Sequence, residues 1–258
     1  MSRVIAKAQR KINTPGKPDS KFFNTLVARR DWESVRKLLL IQPNIVEEVS
    51  SCRVLAAKRS GTALHHVCRL HPPLDVVQKI AQSFPGCLNE IDIDCRLPLH
   101  IATRWGASAR VVRFLIKARP EGAFTQDYFG KTPLHLTCKD YHSRFIPSYE
   151  SEYPLTFKES MYRIVWALDQ VAPDIVNIED EDGRTALDYA ITTQADKRVL
   201  LLLHRATMNS RNTKSNHGRR GQQQGHTMGS RVQWATPLLQ LPPTKAMQNE
   251  QKYDKLSP

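Results

Sequence analysis

The chain has 258 residues, 40% of them apolar, and a formal charge of +13. No run of 18 apolar residues occurs, which excludes a helical membrane span. Five cysteines, an odd number, fit reduced buried thiols in an intracellular protein, cytoplasmic or nuclear, better than a disulfide-stapled domain.

The first segment, 1–21, carries six Lys or Arg against one acid and never strings more than three apolar residues together, so it lacks the apolar stretch of a signal peptide. It is expected to be a disordered basic arm, with a short amphipathic helix over Ser2–Lys11 as the alternative. Next comes a helix pair, 22–57, around Leu26-Val27-Ala28 and Val35 to Leu40, read as a capping unit with a short extra helix between Asn44 and Ala57.

Four segments then repeat one pattern: Gly61-Thr62-Ala63-Leu64-His65, Leu97-Pro98-Leu99-His100, Thr132-Pro133-Leu134-His135 and Thr185-Ala186-Leu187-Asp188. The steps are 35, 35 and 53 residues, the last being one period plus an 18-residue insertion. Two further rulers keep the last two steps: Pro85, Pro120, Pro173 and Asp92, Asp127, Asp180. A fixed period of this length points to stacked supersecondary units. The units run over 58–91, 92–126, 127–179 and 180–206, with an aromatic-rich insertion at 142–160.

Within a unit, Thr ahead of Pro opens a first helix, because Pro in the first turn forfeits no backbone bond. A second helix follows, with stripes such as Val111, Val112, Leu115, Ile116 and Val199, Leu200, Leu202, Leu203. It ends before a proline, which disfavours helix in the residue ahead of it. The last segment, 207–258, carries eight Lys or Arg against two acids and is expected to be a disordered basic tail, with one apolar cluster over Val232–Leu241.

Thr132-Pro133-Leu134-His135 resembles the Thr-Pro-Leu-His-x-Ala signature of the ankyrin repeat family, with Thr137 in place of the Ala. The resemblance covers about 22–206. It implies an all-α, ankyrin-type helical-repeat solenoid of about five helix pairs, in which His65, His100 and His135 are structural, bonding to backbone. It also implies recognition through the turn tips and the exposed ends of the first helices.

Other chemistry is poorly supported. Equivalent histidines on neighbouring helices stand about 8–10 Å apart, whereas zinc holds its ligands at about 2 Å. Glu179-Asp180-Glu181-Asp182-Gly183 lacks the calcium-loop pattern and its terminal Glu. No phosphate loop or nucleophile elbow is present, so no catalytic residue, metal or cofactor is expected.

By register the tips are Lys58-Arg59, Ile93-Asp94, Tyr128-Phe129 and Glu181-Asp182, and the adjacent aromatics Tyr128 and Phe129 are candidate contact residues. At the ends of the first helices one column reads Arg29, Arg69, Arg104, Lys139, Thr192, and the one beside it Arg30, Leu70, Trp105, Asp140, Thr193. This cationic ladder with its Trp suits a protein partner with an acidic surface. The chain is thus expected to be a monomeric, non-catalytic protein-binding scaffold. The alternative is an adaptor whose basic tails contact nucleic acid or an anionic membrane surface.

Overall fold

Wherever apolar residues recur three and four apart, the chain is helical, and no strand occurs among the described residues, 20–51, 61–146 and 155–220 of the computed structural model. These hold eleven α-helices: α1 (Ser20–Ala28), α2 (Trp32–Ile41), α3 (Ile45–Ser51), α4 (Ala63–Cys68), α5 (Leu74–Ser83), α6 (Pro98–Arg104), α7 (Ala109–Ala118), α8 (Pro133–Arg144), α9 (Phe157–Val171), α10 (Ala186–Thr192) and α11 (Lys197–Arg220). None is long and apolar enough to cross a membrane. The helices belong to a contact unit that closes at His217, within α11.

Two rows of helices face each other within that unit. In one, α1 touches α4, α4 touches α6, α6 touches α8, and α8 touches α10. In the other, α2 touches α5, α5 touches α7, and α7 touches α9. Pairs join the rows, α1 to α2, α4 to α5, α6 to α7 and α8 to α9, while α3 fits between α1 and α4 as the extra helix expected there. The shared interior is one apolar cluster running from Phe22 to Ala206. Val111, Val112, Leu115 and Ile116 of α7 are all buried, as their spacing requires. On α11, Val199 and Leu203 are buried while Leu200 and Leu202 are only partly covered.

Local chemistry sets the helix ends. Ser108 accepts a bond from the Val111 amide, and Asp31 one from the Ser34 amide, which satisfies first-turn donors that have no partner inside the helix. Pro85, Pro120 and Pro173 each open a single turn of 3-10 helix directly after the second helix of a unit. A first helix ends differently, in a residue of left-handed conformation: Arg30, His71, Gly106 and Gln194 have φ of 55°, 57°, 72° and 52°.

The unit 127–179 breaks this rule. Tyr141 stands where the left-handed residue should be, yet it is helical, and α8 continues to Arg144. Its ring is buried, and its hydroxyl donates to the Ala107 carbonyl at 3.1 Å and meets the Ser160 hydroxyl at 2.7 Å. That anchoring holds the chain in the helix past the usual stop. The expected insertion over 142–160 is therefore shorter than its sequence bounds, because 142–144 belong to α8 and 157–160 to α9. Phe145 packs on the interior beside Tyr141, with ring centroids 5.6 Å apart. Tyr149 and Tyr153 lie outside the described residues.

A second correction concerns the chain end. The tail was expected to begin at 207, but α11 continues to Arg220. Ala206 is buried, and the Ser210 hydroxyl donates to the Asp174 carboxylate and accepts from the Asn177 amide, so the helix is tied down beyond that boundary. Residues 1–19 of the basic arm, the tip Lys58-Arg59 and the cluster Val232–Leu241 lie outside the described residues, while the arm's last two residues, Ser20 and Lys21, open α1.

Candidate partner-binding site

The repeated polar residues form one bonding scheme three times over. In His65 the Thr62 amide donates to Nδ1 at 3.1 Å and Nε2 lies 2.8 Å from the Arg96 carbonyl. A carbonyl only accepts, so the hydrogen sits on Nε2 and the ring is neutral. His100 does the same between the Leu97 amide and the Thr125 carbonyl, both at 3.0 Å, and His135 between the Thr132 amide at 3.2 Å and the Arg184 carbonyl at 3.1 Å. In the last unit Asp188 replaces His and accepts from the amide and hydroxyl of Thr185 at 2.8 and 2.7 Å. Burial drives the His65 and His100 pKa values down to about 4 and lowers that of His135. With both nitrogens occupied, these rings are not available as bases or ligands. No cluster of three or more ligand-type side chains occurs among the described residues.

The turn aspartates are equally committed. Oδ1 of Asp92, Asp127 and Asp180 accepts the backbone amides two and four residues on, at 2.9–3.0 Å. The free oxygen then takes a cation from the preceding turn: Arg96 Nε reaches Asp127 at 3.3 Å, and Lys131 Nζ reaches Asp180 at 3.2 Å. Burial would raise the Asp180 carboxyl, but bonds from Tyr189, the Arg184 amide and Lys131 outweigh it and hold the pKa at about 2. Asp92 follows a unit with Gly61 at the corresponding place, and burial raises its carboxyl. Backbone bonds also join tip to tip, from the Tyr128 amide to the Asp94 carbonyl at 2.8 Å and from the Glu181 amide to the Phe129 carbonyl at 3.2 Å.

Of the two aromatics singled out at the tip, only one is open. Phe129 is half-buried, its ring 5.8 Å from the Arg96 guanidinium and 5.6 Å from the Lys131 ammonium, so it covers the buried ion pairs. Tyr128 stands edge-on to it and is 54% exposed, and in the preceding turn, which its amide bonds at Asp94, Ile93 is 59% and Ile91 45% exposed. Register placed Ile93 at a tip without naming it as a contact, and Ile91 was not named at all, since single apolar residues on a turn carry no pattern.

The helix-end columns are also sorted by the structure. Arg29, Arg69 and Lys139 are exposed. Arg104 is not a free member of the ladder, because its Nε lies 3.3 Å from the Asp140 carboxylate, which comes from the second column. Lys139 lies over Tyr189 at 5.7 Å, and Thr193 is turned inward to bond the Cys138 carbonyl at 3.0 Å. Trp105 is the centre of the row: the guanidinium carbons of Arg69 and Arg144 lie 4.3 and 4.2 Å from its ring centroid. Arg144 was placed in the insertion by sequence, and only the unforeseen last turn of α8 brings it here.

Among the described cysteines, Cys68, Cys87 and Cys138 are buried free thiols, and burial pushes the pKa of Cys87 and Cys138 up to about 12. They are not poised as nucleophiles. The chain matches no protein-family model, and no curated protein matches it.

Proposed function

We propose that the chain is a helical-repeat scaffold of the ankyrin type that binds a protein partner and catalyses no reaction. Its partner surface is the row at the ends of the first helices, Arg29, Arg69, Trp105, Lys139 and Arg144, together with the tip around Tyr128. One observation carries this reading: the repeated His, Thr and Asp side chains are spent on internal bonds, while Arg69 stands exposed against Trp105 and Lys139 exposed over Tyr189. The bonding scheme recurring at the period of the sequence supports the repeat architecture, and the excess of cations in the row suits an acidic partner.

Affinity capture on the immobilised full chain, followed by rebinding of the purified captured protein, tests the reading. The Arg69→Glu, Lys139→Glu variant is expected to lose that protein while unfolding at an unchanged urea midpoint. Retention at full affinity would place the binding surface elsewhere.

A further inference from the structure

Trp105 holds two guanidinium groups at 4.3 and 4.2 Å from a single ring, one from α4's C-terminal cap and one from the last turn of α8. Several other held cations are neutralised by carboxylates: Arg36 pairs with Asp75, Arg96 with Asp94 and Asp127, Arg104 with Asp140, and Lys131 with Asp180. Arg69 and Arg144 have no carboxylate partner among the described residues. The two also repel. Burial first, and then the charge of Arg144, lower the pKa of the Arg69 guanidinium.

The position is fixed from below. The backbone of Arg144 and Phe145 lies so close to Gly106 that a Cβ there would come within 2.6 Å of it, and His71 Nδ1 donates to the Gly106 carbonyl at 3.2 Å. The first-helix ends of three units therefore meet at the indole, which has a guanidinium from each neighbouring unit against it.

Such a point fits a dianion. One carboxylate would leave a positive charge uncompensated, whereas a phosphate monoester carries about −1.5 to −2 at pH 7 and offers three oxygens to paired guanidinium forks. We propose that Arg69 and Arg144, held against Trp105, form a phosphoryl-binding clamp, and that the partner presents a phosphorylated Ser, Thr or Tyr to it. This rests on the scaffold reading above and narrows its partner to a phosphoprotein.

The test uses the full chain with 15N-labelled tryptophan, the indole resonance of Trp105 being assigned by its absence in Trp105→Phe. The probes are a capped alanine pentapeptide carrying one phosphoserine, the same peptide with Glu, the same peptide with Ser, and a dT pentanucleotide. The phosphopeptide is expected to shift the resonance with a Kd of about 1 mM or tighter, and to weaken as pH falls through about 6, where the phosphate loses its second charge. Arg69→Gln with Arg144→Gln should cost about tenfold in affinity or more, while Arg110→Gln with Arg113→Gln on the exposed side of α7 should cost nothing. Equal binding of the Glu peptide or the oligonucleotide, no shift by the phosphopeptide, or equal loss in both variants would overturn the clamp. The scaffold reading would survive those results if the captured protein still depends on Arg69 and Lys139.

Discussion

Arg96 leaves its own turn to meet the carboxylate of Asp127 in the next, Nε to Oδ2 at 3.3 Å, with both side chains buried. The same step recurs from Lys131 to Asp180. Each cation sits four residues after its own turn aspartate, so one short motif both closes a turn and fastens it to its neighbour. Removing the cation alone leaves a buried charge. Arg96→Met is expected to destabilise by about 3 kcal/mol, and Asp127→Asn in the Arg96→Met background to recover at least about 1 kcal/mol of it, since Asn can still accept the turn amides. Urea unfolding of the double-mutant cycle measures this coupling. Additive losses would mean the pair contributes nothing as a pair.

The neutral histidines make stability depend on pH. Unfolded His titrates near 6.5, whereas His65 and His100 are held at about 4 in the fold. Below 6.5 the unfolded state takes up protons that the folded state refuses. This stabilisation is therefore complete above about 6.5 and is lost as pH falls towards 4, by about 2 kcal/mol for each ring at pH 5. Urea midpoints at pH 7 and pH 5 give the loss, and the histidine ring resonances should stay in their neutral positions at pH 5.

Cys95, Gly130 and Gly183 share one turn position, with φ of 58°, 71° and 70°. Only the cysteine bears the cost of a side chain in the left-handed region. Cys95→Gly is expected to stabilise by up to about 1 kcal/mol. Gly183→Ala, with open space around the added methyl, should cost about 1 kcal/mol from backbone strain alone. Gly130→Ala should cost clearly more, because its Cβ would lie 2.8 Å from the Glu181 amide nitrogen and push the neighbouring turn away. Thermal or urea unfolding of the three variants should rank them in that order.

The period made much of this fold legible. The prolines at 85, 120 and 173 mark the 3-10 turns, the spacing of Val111, Val112, Leu115 and Ile116 names a buried face, and the repeated His positions are those with matching bonds. What escaped was whatever departs from the period. Tyr141 replaces a helix-stopping residue, and only its burial against Ala107 and Ser160 reveals that the helix goes on to deliver Arg144 to Trp105. Nor does a column of charges disclose that Asp140, one place along, neutralises Arg104. Register lists which side chains share a row, whereas their pairing depends on reach and angle across helices. Likewise the length of α11 rests on Ser210 meeting Asp174 and Asn177, a contact made by residues far apart in sequence.

If the proposed row binds the partner, fold and recognition use separate side chains, and a paired measurement separates the two. Affinity for the purified captured partner and the urea midpoint are measured for Arg69→Glu with Lys139→Glu, and for Arg110→Glu with Arg113→Glu on the exposed side of α7. The first pair should lose at least about tenfold in affinity at an unchanged midpoint, and the second should bind as the parent does. Equal loss in both, or loss confined to the α7 pair, would mean that the row at the first-helix ends is not the binding surface.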